Sequence, residues 1–126
     1  MIEATIAMVI LAMAAAGVLL PFANAASVLE EGSRQTLAAN LASELMEKVL
    51  LTDPNGIIAA YDGYPEADGE MLDTSGSYLT DSIYTGFSRS VICQAVTVKS
   101  VPLVLVTVSV AYQGNEMTKI TTLTGQ

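Results

Sequence analysis

The 126-residue chain has no histidine, no tryptophan and a single cysteine. Without histidine, neither a Ser-His-Asp nor a Cys-His catalytic arrangement can be built, and a histidine-based zinc site is excluded. No other nucleophile–base pair is visible, so no enzymatic activity is expected. Cys93 has no second cysteine to pair with inside the chain. It lies in an alternating, strand-like stretch, so a buried thiol is expected, with an intermolecular disulfide as the alternative. Positive charge is also scarce. Five Lys and Arg stand against 13 Asp and Glu, for a net charge of −8, and no base occurs between Lys48 and Arg89. Nucleic-acid binding needs a basic footprint, and none is present.

Charge of either sign is absent from Ala4 to Leu29. This run of about 26 residues is long enough to span a bilayer, which takes about 20. It is rich in Ala and contains Gly17, residue types that let helices approach closely. A secretory signal has a basic start, a short apolar stretch and a cleavage site. Here "ANA" before Ala26 resembles such a site, but no Lys or Arg precedes the run, and the helical pattern continues beyond it. If this run lies in a membrane or a polymer core, fewer than about 100 residues remain for one small globular part.

The run has one internal weak point. Pro21 has no N–H for the carbonyl of Gly17, and its ring crowds that carbonyl. Gly17 is itself a poor helix former. A helix kinked or unwound near residues 17–21 is therefore expected, an ordinary proline kink being the simpler form. From Ser27 to Leu51 apolar residues recur in two rows, Leu37, Leu41, Leu45, Val49 and Ala38, Ala42, Met46, Leu50. Together they form one wide stripe at helical spacing. "TDPNG" at 52–56 stops the helix. The expectation is an N-terminal helix over residues 1–52, with 1–29 apolar and 30–52 amphipathic.

Residues 53–126 then read as an acidic loop followed by an antiparallel sheet. The loop, residues 53–86, is rich in Gly, Pro and acids. Its "EADGEMLD" offers Glu66, Asp68, Glu70 and Asp73 as weak calcium candidates, at a spacing unlike the EF-hand loop. A solvated acidic loop is the favoured reading, and no cofactor is required. From Phe87 the hydrophobic period becomes two. Phe87–Lys99 and "PLVLVTVSVAY" are strands, joined by Lys99-Ser100-Val101-Pro102. "QGNE" turns the chain and "MTKITTLT" returns as a hairpin. Val104, Val106, Val108 and Val110 share a face suited to packing on the Leu37–Val49 stripe. The fold expected is α+β, a long N-terminal helix packed against a small C-terminal antiparallel sheet.

Glu3 opens the uncharged run. A carboxylate there is costly to bury without a partner. On the residues alone it also suits a helix start, whose free N–H groups favour an acid.

The stretch "MIEATIAMVILAMAAAGVLLPF", with "QTLAANLASELMEKV" and the late "VTVSVAYQGNEMTKITTLTG", resembles the type IV pilin and pseudopilin superfamily. The N-terminal likeness covers about 50 residues; the C-terminal one is a pattern only. Ile2-Glu3-Ala4 falls on the family's glutamate motif. Glu3 sits two places earlier than that glutamate would, so either two residues precede this numbering or Met1 stands in for three. With no basic leader in front, a processed chain is expected. The resemblance implies that Glu3 meets the N-terminal ammonium, here that of Met1, of a neighbouring subunit in an apolar filament core. It also implies that Gly17 and Pro21 mark where the core helix unwinds on assembly.

The function implied is a structural subunit, a pilin, of a helical type IV pilus-like extracellular filament. Such filaments serve motility and cell adhesion. Its partners would be identical subunits, the inner membrane as a single-span precursor pool, the pilus assembly machinery and a prepilin peptidase. Rival readings are a minor pseudopilin of a type II secretion system, confined to the periplasm, or a single-span membrane-anchored binding domain.

Overall fold

The computed structural model describes residues 1–125. The chain divides into two compact units, Met1–Arg34 and Gln35–Gln126.

Helix α1 spans Ile2–Leu50, 49 residues, or about 74 Å at ~1.5 Å per residue. In the first unit it runs without interruption through Gly17 and Pro21. Unwinding at residues 17–21 is thus not what the single chain adopts. Proline deletes one ladder hydrogen bond, while the Ala and Leu residues around it are strong helix formers.

In the second unit the end of α1 buries Ala38, Leu41, Ala42, Leu45, Met46 and Val49. Leu37 is partly buried, whereas Leu50 is 43% exposed. A row of residues four apart drifts about 40° per step around a helix of 3.6 residues per turn. The row through Ala38, Ala42 and Met46 has therefore left the buried face by Leu50. Lys48 in the last turn suits the helix dipole. Pro54 then opens a one-turn 3-10 helix, capped by Asp53, whose Oδ1 accepts the Asn55 N–H at 3.0 Å.

The segment expected to be loop from 53 to 86 is more ordered than that. It contains α2 (Ile57–Tyr61), strand β1 (Tyr64–Glu66) and a further 3-10 turn at Ser82–Tyr84. Ile57 and Met71 are fully buried and anchor it to the core, each worth roughly 1.5–3 kcal/mol of apolar burial. The sheet order is β1-β2-β3-β4, all antiparallel, with β2 Phe87–Val98, β3 Val101–Tyr112 and β4 Asn115–Gly125.

One detail corrects the expected β2–β3 connection. The β2–β3 turn is Lys99-Ser100 alone, so Val101 and Pro102 belong to β3. Both turn residues have positive φ, 49° and 67°, the pattern of a two-residue type I′ turn, whose twist matches that of the strands. Gln113 and Gly114 repeat this pattern at the β3–β4 turn, with φ of 49° and 82°.

The inner face of the sheet carries Phe87, Val91, Val104, Val106, Val108 and Val110. All are at most 1% exposed, and they form one core with the helix stripe. The arrangement is α+β: a long N-terminal helix whose C-terminal part packs on a four-stranded antiparallel sheet. Cys93 is part of this core, 5% exposed. Burial, followed by the negative charge of Asp62, pushes its thiol above the usual value.

Candidate functional site

Of the residues singled out in the sequence, Met1, Glu3, Gly17 and Pro21 lie in the first unit. Every side chain from Met1 to Ser33 is exposed. Ile2 is 77% exposed, Met8 75%, Leu11 70% and Phe22 70%. From Ala4 to Leu29 the segment carries no charge, and large apolar side chains are exposed along it. By length and composition α1 can cross a membrane.

Glu3 lies in the first turn. There the Met1 carbonyl accepts from both the Thr5 N–H, at 3.3 Å, and the Thr5 hydroxyl, at 3.1 Å. Among the described residues no cation of the chain pairs with Glu3. A Cβ added at Gly17 would meet nothing within 4 Å, so nothing in the single chain requires glycine there. The polar boundary of the run is a charge cluster in which Arg34 pairs with Glu30 and, at 3.6 Å, with Glu31.

The four calcium candidates are not assembled into a ligand shell. Glu66 is 2% exposed and holds Arg89. Asp68 accepts the Gly86 N–H at 2.9 Å. Asp73 Oδ1 accepts from the Ser75 N–H, the Ser75 hydroxyl and the Ser77 N–H at 2.8, 2.6 and 2.9 Å. These bonds, the Ser75 hydroxyl first, hold the Asp73 carboxyl below its usual range. Among the described residues no three potential ligands of this kind come together.

The sequence reading missed Arg89. Its guanidinium is fully buried, donates from Nε to Glu66 at 2.7 Å and pairs with the same carboxylate through Nη2. Nη1 donates to the Leu41 carbonyl at 3.2 Å and Nη2 to the Leu72 carbonyl at 2.7 Å. Tyr64 donates to the other Glu66 oxygen at 3.3 Å. Burial, then the Glu66 charge, raises the Tyr64 pKa. One side chain thus ties α1, β1, β2 and the loop together. The signal was present: Arg89 alternates with Phe87, Val91 and Cys93, so it had to point inward.

The chain matches no protein-family model, no curated protein and no solved structure. Its architecture, a long apolar N-terminal helix and a small antiparallel sheet, is compatible with a pilin-like fold.

Proposed function

We propose that this chain is the structural subunit of a helical, type IV pilus-like extracellular filament, held together by packing of its apolar N-terminal helices. The observation that carries the reading is the unbroken helix whose first 33 residues bury no side chain within the chain. So much apolar surface requires a lipid phase or neighbouring copies.

The combination with Glu3 favours copies over lipid alone. A carboxylate at the start of the run gains little from hydrocarbon, whereas the amino terminus of a neighbour supplies the opposite charge. The membrane is then the reservoir and the polymer the destination. Lateral packing suits the Ala-rich surface and Gly17, since small residues let backbones approach closely.

Electron microscopy of material sheared from cells producing the chain tests this. Long helical filaments containing it are expected. Short fibres confined to the periplasm would instead favour a secretion pseudopilus. A chain that stays monomeric after mild extraction would favour a membrane-anchored binding domain.

A further inference from the structure

The second unit is polarised from one end of its sheet to the other. From Asp68 to Asp81 the chain carries four acids and no base, and from Ser82 to Asn115 it carries no acid. The acidic loop is pinned beside the start of β2. Asp68 accepts from Gly86, and the Leu72 carbonyl accepts from Arg89. The β2–β3 turn, with Lys99, lies at the opposite end of β2. At ~3.3 Å per residue, the twelve residues of β2 put it about 40 Å away.

Each end also exposes apolar side chains. At the turn, on the face turned away from α1, Val98 and Val101 are 46% and 53% exposed. At the acidic end, Tyr78 is 64% and Ile83 55% exposed. The two surfaces are complementary, each an apolar patch edged by charge of one sign. They sit too far apart to meet within one molecule.

We propose that the Lys99 end of one copy docks on the acidic loop of the next, with Val98 and Val101 against Tyr78 and Ile83. Lys99 then faces Glu70, Asp73 or Asp81. Two different surfaces are used, so the contact is heterologous and propagates head to tail. The patches are small, so the contact acts together with helix packing and sets the spacing of copies. It rests on the filament reading in taking a second copy as the occupant.

The test is carbodiimide coupling of assembled full-length chain. Amide bonds form directly between a lysine amine and a carboxylate in contact, the carbodiimide taking up the water, and the joined peptides are identified by mass spectrometry. A link from Lys99 to Glu70, Asp73 or Asp81 is expected, in species whose mass is a multiple of the chain. The ~40 Å separation makes such a link intermolecular. It should disappear in Lys99→Arg, which keeps the charge but does not couple.

Higher-mass assemblies in which Lys99 is unlinked, or is linked to other carboxylates or to a different protein, would overturn the docking and leave the filament reading standing. Absence of any species larger than the monomer would overturn both.

Discussion

Arg89 Nε donates to Glu66 Oε2 at 2.7 Å, with the two side chains 0% and 2% exposed. A buried pair of this kind recovers its desolvation cost only when its remaining donors and acceptors are satisfied. Here the Leu41 and Leu72 carbonyls and the Tyr64 hydroxyl complete the set. Among the described residues no buried side-chain nitrogen or oxygen lacks a partner.

Removing one member should therefore cost more than removing both. Arg89→Ala leaves the Glu66 carboxylate buried without its cation and should destabilise the fold by about 3–5 kcal/mol. Arg89→Met with Glu66→Leu should cost less than either single truncation. Urea unfolding followed by circular dichroism reads the difference. A double variant as unstable as the sum of its singles would show that the two groups are not coupled.

Gly86 should resist substitution. Its φ is +88°, and a Cβ would lie 2.9 Å from Tyr112 Cε2. Gly86→Ala combines left-handed strain with a clash against a ring that packs on Phe87 at 4.9 Å. A loss of roughly 1–3 kcal/mol is expected, read as a lowered urea midpoint.

Asp73 gives the 72–78 turn a pH dependence. Its folded carboxyl titrates below the usual range, so the stabilisation is present above the ordinary carboxylate pKa and is lost as pH falls through the folded value. The Ser75 and Ser77 amide resonances should move together in that acidic window. In Asp73→Asn that movement should be absent.

The helix, its end at Thr52–Gly56 and the hairpin strands were legible because each rests on a local period or a local breaker. Leu41, Leu45 and Val49 recur at helical spacing, and Val104 to Val110 recur at two. The Glu66–Arg89 pair joins residues 23 positions apart and leaves no periodic trace beyond the inward phase of Arg89. The order within 53–86 was hidden for the same reason. Its acids looked like a solvated run, yet Asp68 and Asp73 spend their oxygens on backbone N–H groups. The Lys99-Ser100 turn was read too long because Pro102 suggests a break. In β3 its missing N–H is tolerated at the strand's start.

Gly17 and Pro21 are helical in the single chain, so the filament reading requires any opening of the backbone there to accompany assembly. Gly17→Ala with Pro21→Ala should strengthen the helix by several kcal/mol from propensity alone. Membrane insertion should be unchanged, and polymer yield should fall. Normal filaments from the double variant would show that unwinding is not needed.

Deleting residues 1–26 should release a soluble, monomeric protein that keeps the sheet, since the core of the second unit begins at Ala38. Size-exclusion chromatography and circular dichroism read both properties. Filaments from the truncated chain would place the assembly core elsewhere.

The most direct measurement is polymer yield against membrane-inserted monomer for Glu3 variants. Glu3 lies in the first unit and the sheet in the second, so Glu3→Ala should leave folding and insertion intact while polymer yield collapses. A buried ammonium left without its partner costs about 3–5 kcal/mol. Glu3→Gln, which accepts a hydrogen bond but carries no charge, should rescue little. Glu3→Asp, one methylene shorter, should rescue part. Wild-type polymer yield from Glu3→Ala would contradict the pairing and leave Glu3 as an acid favoured only by the start of a helix.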